Sequence, residues 1–279
     1  MNIFTSNDEM QLYRSGLESS GQTLGFVPTM GALHEGHLSL VRASLEKADL
    51  TVVSLFVNPT QFDDPEDYNA YPRSIEKDKK LLEEMGVSVI FAPSVESMYP
   101  SGMETFVENV SLSNILCGEF RPGHFRGVCT VVLILLNSIR PQWIFLGEKD
   151  FQQLRIVENI VKDLKVNVEV VPCPTLREPS GLAMSSRNSR LDTEKRLLAA
   201  DLYKILQNLR KILLEGNIGV NEARELAVQQ LKKIEGLTID YLEVVDRKTL
   251  KPVKNLSGKV IALAAIRLGK TRLIDNIKI

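Results

Sequence analysis

Short apolar runs alternate with amphipathic stretches through roughly the first 170 residues. Leu24–Val27 is apolar and ends at Pro28, and Leu50–Val57 (LTVVSLFV) is apolar almost throughout. A run of that length without alternation fits a strand buried on both faces. Val87–Ala92, Trp143–Leu146 and Val166–Val171 are further strand candidates. Helical patterns lie between them. In His37–Asp49, Leu38, Val41, Leu45 and Ala48 fall at offsets of three, seven and ten, so they share one helical face. Ser74–Met85 closes at Gly86, a residue suited to the left-handed turn that ends helices. Phe151–Leu164 carries Phe151, Leu154, Val157, Ile160, Val161 and Leu164 along one side.

The pattern changes after Pro172. Pro172, Pro174, Pro179 and Gly181 punctuate a segment that reads as a hinge or exposed loop. Helical stretches follow at Asp192–Leu214 and Asn221–Lys233, separated by Gly216–Gly219, and then strand candidates at Thr238–Val245 and Lys259–Ile266. Strand–helix alternation followed by this mixture predicts an α/β protein. A Rossmann-like parallel sheet with helices on both faces would occupy residues 1–175, and a smaller α+β C-terminal domain 176–279.

Composition narrows the functional classes. The chain has 279 residues, 44% hydrophobic and 25% charged, which excludes a disordered, collagen-like or coiled-coil protein. A net charge of −1 and 6% aromatics supply neither a basic field nor a stacking surface for nucleic acid. The longest apolar run, Val131–Leu136, is far short of the roughly 20 residues that span a bilayer. The first residues lack a basic start followed by an apolar stretch, so no signal peptide is expected. Three cysteines, Cys117, Cys129 and Cys173, without CxxC spacing argue against a disulfide framework and fit a reducing cytoplasm.

Four clusters carry candidate chemistry. The first is Gly25–His37, GFVPTMGALHEGH, running from a strand through a glycine turn into a helix. His34 and His37, three apart, should face one side of a helical turn, where backbone N–H groups and the positive dipole end favour an anion. Gly31 and Gly36 would let a ligand approach the backbone. A pair of surface or capping histidines is the competing reading. A metal site is weaker, since the string is HExH and not HExxH.

The second cluster, FVNPTQF, follows the strand at 50–57 and offers Asn58 and Gln61 as amide ligands beyond a strand end. Turn chemistry around Pro59 explains it equally well. The third, GEKDFQQ at 147–153, places Lys149 for phosphate and Asp150 for ribose hydroxyls. Asp150 and Gln153 could instead form a capping box. The fourth, LAMSSRN at 182–188, has two hydroxyls and Arg187 in a loop suited to closing on polyphosphate, though a plain polar loop is the commoner outcome. Gly269-Lys-Thr271 resembles the end of a P-loop, but the required earlier glycine is Ala264. No GxSxG elbow or Cys/His nucleophile pair is present.

Taken in order, VPTMGALHEGHLSLVRAS, FVNPTQF, CGEFRPGHFRGVCTVV, GEKDFQQL, GLAMSSRN, IDYLEVVD and LGKTRLIDN resemble the pantoate–β-alanine ligase (pantothenate synthetase) family. This family lies within the HxGH nucleotidyltransferase-like superfamily. The resemblance spans about residues 27–276. It implies that pantoate attacks the α-phosphorus of ATP, with Mg²⁺, to give pantoyl adenylate and pyrophosphate. β-Alanine then displaces AMP.

Carried over by position, the resemblance places Met30, Gly31, Ala32, Leu33, His34, Glu35, Gly36 and His37 on ATP, with both imidazoles on phosphate and His37 as proton donor. Gln61 and Gln153 would hold pantoate. Gly147, Glu148, Lys149 and Asp150 would line the nucleotide, and the Leu176 backbone would touch adenine. Met184, Ser185, Ser186 and Arg187 would close on the triphosphate like the KMSKS loop of class I tRNA synthetases. The resemblance also implies a homodimer through the N-terminal domain. Ser180, Ile134 and Gln142 depart from the family's usual Asp, Lys and Asp. The positions of the Mg²⁺ ligands are left open, the acidic stretch Asp63, Asp64, Glu66, Asp67 being a generic polar loop.

Two rivals stand beside an acid–amine ligase. One is a nucleotidylyltransferase, which would make no amide. The other is a nucleotide sensor, which would bind ATP without turnover. A class I tRNA synthetase is disfavoured by chain length and charge.

Overall fold

The computed structural model describes residues 1–279. The chain divides into two compact units, Met1–Glu148 with Gln153–Pro174, and Lys149–Gln152 with Thr175–Ile279. The short piece Lys149–Gln152 therefore groups with the later residues. No helix is long and apolar enough to cross a membrane.

The first unit is a six-stranded parallel sheet. Its strands are β1 (Asn2–Phe4), β2 (Leu24–Thr29), β3 (Leu50–Leu55), β4 (Val89–Phe91), β5 (Trp143–Gly147) and β6 (Glu169–Cys173), in spatial order β1-β4-β3-β2-β5-β6. Its helices are α1 (Asn7–Gly16), α2 (Glu35–Lys47), α3 (Pro65–Asn69), α4 (Ile75–Glu84), α5 (Val95–Met98), α6 (Cys117–Phe120), α7 (His124–Ile139) and all but the first two residues of α8 (Phe151–Asp163). Val27, Val53 and Ile90 pack with Leu38, Val41 and Leu82 of α2 and α4. The alternate positions Phe26, Val52 and Val89 are fully buried too. Both sheet faces are thus covered, which is why β2 and β3 read as unbroken apolar runs.

Several boundaries differ from the sequence expectation. β2 runs through Pro28 to Thr29, because only Gly25 and Phe26 pair with β5, and Pro28 pairs with Ser54 of β3 alone. A residue without an N–H sits where one side of the strand has already lost its neighbour. β6 starts at Glu169 and not at Val166. Lys165 is left-handed (φ 55°), and the Val166 N–H returns to the Val161 carbonyl (3.1 Å), so Val166 closes α8 instead of opening a strand. Gly86 behaves as its sequence suggests. It is left-handed (φ 80°), and Val87 donates to Leu82 (3.0 Å).

The second unit has an antiparallel sheet of β7 (Leu237–Asp246), β8 (Val260–Leu268) and β9 (Thr271–Lys278), in that order. Helices α9 (Thr193–Glu215) and α10 (Val220–Leu231) complete it. Leu202, Leu206, Leu209 and Leu213 of α9 share a core with Ala223 and Ala227 of α10 and with Ala262, Ala264 and Ile266 of β8.

Candidate active site

The order of the parallel sheet identifies its crevice. From β2 the chain proceeds outward through β3 to β4, whereas β5 and β6 lie on the other side of β2. Connections leaving β2 and β5 therefore diverge, and the gap beyond their carboxyl ends is where open α/β sheets take ligands. Met30–His37 leaves β2 there, Gly147 and Glu148 leave β5, and Asn58–Gln61 leaves the neighbouring β3.

The turn between β2 and α2 is built by a buried carboxylate. Asp78 of α4, 1% exposed, accepts the N–H groups of Ala32 (2.8 Å) and Leu33 (2.9 Å). Gly31 has φ 78°, and a Cβ on it would lie 3.1 Å from Asp78 Oδ2. The expectation that these glycine-turn N–H groups stand ready for an anion is corrected at Ala32 and Leu33, whose donors serve Asp78. Leu33 also puts its side chain into the core. The Gly31 N–H donates to Thr29 Oγ1 (3.1 Å).

His34 is the N-cap of α2 and not a helical residue (φ −138°, ψ 170°), and His37 stands at the third helical position. The rings nevertheless lie together, with centroids 4.1 Å apart and planes inclined by 31°. His34 Nδ1 accepts the Gly36 N–H (3.1 Å), and His37 Nδ1 accepts the His34 N–H (3.4 Å). The capping reading of the pair is therefore realised, and the two rings lie side by side as their spacing suggests. The imidazoles cap the helix, and capping decides their chemistry. A nitrogen that accepts a backbone N–H carries no proton, so in the neutral ring the proton sits on Nε2. Both rings thus turn an N–H donor away from their own backbone at the positive end of the helix.

Beyond β3, Asn58 is 1% exposed and saturated. Its Oδ1 accepts from the Thr60 N–H (3.2 Å), Thr60 Oγ1 (2.9 Å) and Tyr99 OH (2.7 Å). Its Nδ2 donates to Gln61 Oε1 (3.0 Å) and the Gly127 carbonyl (3.2 Å). Asn58 as a substrate ligand is corrected accordingly, since every polar atom already has a partner inside the protein and turn chemistry accounts for it. Gln61, only half-buried, ends the 3-10 turn Pro59–Gln61 and directs Nε2 to Met30 Sδ (3.1 Å). The two strand-end motifs thereby meet. Gln153 lies half-buried in the first turn of α8. Around this loop Asp63 is paired with Arg121 (2.8 Å). Burial pushes the Asp63 carboxyl up, but the Arg121 hydrogen bond and charge outweigh it and hold the group below its ordinary value.

The remaining candidates belong to the second unit. The Lys149 ammonium is 3.6 Å from Asp150, and the Lys149 carbonyl accepts from Asn276 Nδ2 (3.0 Å). Leu176 and Met184 are joined in the backbone (3.0 Å), as are Glu178 and Leu182 (2.8 Å), so 176–184 is a tight hairpin. Ser185 Oγ caps the following 3-10 turn at the Arg187 N–H (3.3 Å). Asn188 ties the turn back to Glu178 (2.8 Å), which Arg196 grips with two nitrogens. At the departure position 180, Ser180 Oγ accepts the Leu182 N–H (3.4 Å). Gln142, another departure, accepts the Leu24 N–H (2.7 Å) and so joins β5 to β2.

The family model for pantoate-beta-alanine ligase matches residues 2–278. The chain belongs to the pantoate–β-alanine ligase family. It is 48% identical to the pantothenate synthetase of Thermotoga petrophila over 276 residues, 99% of each chain. It is also 48% identical to that of Sulfurihydrogenibium sp. over the full length of both. The crystal structure of pantothenate synthetase from Thermus thermophilus superposes with a TM-score of 0.93 at 42% identity, covering 100% of this chain and 99% of that one. The pantoate-beta-alanine ligase of Francisella tularensis, solved in complex with beta-gamma ATP and beta-alanine, gives 0.82 at 37% identity, covering 100% and 97%.

For a ligase of this family, sequence reasoning missed Asp78, Arg121 and Tyr99. Asp78 looks like one of many charges in the polar helix IEKDKKLLEE, and only its burial distinguishes it. The signal available was position: it falls where α4 should present an apolar residue, beside Leu82 one turn on.

Proposed function

We propose that this chain condenses the carboxylate of pantoate with the amine of β-alanine, consuming ATP and releasing AMP and pyrophosphate. The observation that carries the reading is the imidazole pair at the start of α2, with both Nδ1 atoms tied to backbone N–H groups, in a chain of the pantoate–β-alanine ligase family. In the first half-reaction a pantoate carboxylate oxygen bonds to the α-phosphorus, and the bond to pyrophosphate breaks. In the second, the β-alanine amine adds to the acyl carbon, loses a proton, and AMP departs with its oxygen. Substrate groups supply both nucleophiles, so the protein has to align reactants and stabilise developing charge.

His34 and His37 are proposed to donate Nε2–H to phosphate oxygens, and His37 to pass its proton toward the leaving pyrophosphate. Gln61 and Gln153 are proposed to hold pantoate through their carboxamides. Met30, Gly31, Glu35, Gly36, Gly147, Glu148, Asp150 and the Leu176 backbone are proposed to line the nucleotide. Lys149, Met184, Ser185, Ser186 and Arg187 are proposed to act on its phosphates. No three His, Cys, Asp or Glu side chains come together as a metal cage, and Asp63 and Asp64 are engaged by Arg121 and the Glu66 N–H. Mg²⁺ is accordingly proposed to arrive on the triphosphate as part of the substrate, as it commonly does.

Two further proposals rest on resemblance and composition. The chain acts as a homodimer through its first unit, which light scattering tests against the 31.2 kDa of one chain. It works in the cytoplasm, in keeping with three buried cysteines, none of them in a disulfide. The deciding experiment for function is an assay of AMP and amide formation from ATP, pantoate and β-alanine, with each omitted in turn. Amide that requires all three supports the ligase. ATP turnover without amide points to a nucleotidylyltransferase, and ATP binding without turnover to a sensor.

A further inference from the structure

We propose that Arg121 and His124 are positioning residues for the acid substrate: they grip the backbone carbonyl of Gln61 and so fix where its side-chain amide meets pantoate. The inference rests on the assignment of pantoate to Gln61. The Gln61 carbonyl faces two partners at once, His124 Nδ1 at 2.7 Å and Arg121 Nη2 at 3.1 Å. Arg121 Nη1 lies 3.2 Å from His124 Nε2, and Arg121 Nε donates to Asp63 at 2.8 Å.

Elementary chemistry orients every proton in this ring. A guanidinium only donates and a carbonyl only accepts. His124 Nε2 must therefore accept from Arg121, and Nδ1 must carry the proton given to Gln61. His124 is the neutral Nδ1–H form, closed in a cycle of three hydrogen bonds. Both side chains are largely buried, so water does not compete freely for these donors.

The rest of the contact presses the loop against the helix that carries His124. One turn along α7, Gly127 has no side chain, and a Cβ there would stand 2.3 Å from the Thr60 carbonyl oxygen and 2.8 Å from the Gln61 nitrogen. Asn58 Nδ2 holds Gln61 Oε1, which leaves Nε2, directed to Met30 Sδ, as the donor end of the amide. The backbone of Gln61 is thus held by α7 and its side chain by Asn58. A displacement of about 1 Å at such a group can cost about 10²-fold in rate. The motif RPGHFRG at 121–127 thereby acquires a purpose beyond sheet packing.

The test compares His124→Leu, which removes the donor, with His124→Asn, whose amide nitrogen replaces Nδ1, and with Gln61→Ala. Pantoate-dependent exchange of pyrophosphate into ATP reads the KM for pantoate and for ATP separately, and thermal melting reads stability. His124→Leu should raise the pantoate KM about tenfold and leave the ATP KM within about twofold, and His124→Asn should restore most of the loss. An unchanged pantoate KM in His124→Leu, or equal loss in both His124 variants, overturns the proposal. If His124→Leu does not fold, Arg121→Lys, which keeps the charge toward Asp63 but loses the two-pronged fork, must raise the pantoate KM. A normal value there overturns it. Gln61→Ala separates the failures. If it leaves the pantoate KM unmoved, the assignment of pantoate to Gln61 has failed and the clamp proposal falls with it. If it raises that KM while the His124 and Arg121 variants do not, only the clamp has failed.

Discussion

At the scale of single residues, His34 performs two tasks that mutation can separate. Its Nδ1 caps α2, and its Nε2–H is proposed to meet phosphate. Asparagine is a good N-cap, whereas alanine forfeits about 1 kcal/mol. His34→Asn should therefore melt close to the parent temperature yet lose about 10²-fold in pyrophosphate exchange, the usual cost of one transition-state donor. His37→Ala should lose a similar factor. Full activity in a well-folded His34→Asn would show that capping was its whole contribution. The HxGH spacing told correctly that the rings would meet, because positions three apart stay neighbours even when the first is the cap. The spacing did not tell that Asn58 was already saturated. Its five hydrogen bonds include those to Tyr99 and Gly127, distant in sequence, and nothing local in FVNPTQF announces them.

Elements show the same division between local and distant causes. Strands β2, β3 and β5 and helices α2, α4 and α8 carry their periodicity on their surface and were legible. Helix α7 was not, because it is buried nearly all round, from His124 and Phe125 to Ile139, and a uniformly apolar run has no period to read. β1, with three residues, is too short to register, and α1 is dominated by polar side chains. β9 was hidden by Asp275, 4% exposed, at an inward position of the strand. The explanation lies in the hairpin 176–184. Arg177 grips Asp275 with two nitrogens (2.6 and 2.9 Å) while its guanidinium lies 3.4 Å from the centre of the Tyr203 ring. Breaking a buried pair from one side leaves a charge without compensation and costs about 3–5 kcal/mol. Arg177→Leu should lose that much in urea unfolding. Arg196→Leu, which empties a half-exposed pair with Glu178, should lose at most about 1 kcal/mol. Equal losses would mean that burial of Asp275 is not what gives the first pair its weight.

The whole molecule adds a property that no one element carries, its response to acid. Each unit has its own apolar core, and pH acts through the carboxylates to which folding gives hydrogen-bonding partners. Hydrogen bonds from Arg196 and Asn188, and the Arg196 charge, hold Glu178 below its ordinary 4.5, outweighing its desolvation. Lys47 and Trp143 do the same for Glu169. Asp63 is held below 3.8 by Arg121 against its burial, Asp192 by Lys195, and Asp246 by Thr249. A carboxyl whose folded value is depressed contributes its full stability above the unfolded value and loses it as pH falls through the folded one. Glu243 opposes the trend, since burial raises it despite Arg224, and acid relieves that one penalty. With the depressed groups in the majority, the unfolded chain binds more protons than the folded chain below about pH 4.5, so stability must fall with pH there. Urea midpoints should be nearly level from pH 7 to about 5 and should drop steeply toward pH 3. Adding Arg196→Leu should shallow the drop, because Glu178 would then return toward its unfolded value. A midpoint that rises on acidification would show that the carboxylate partners seen here do not hold in solution.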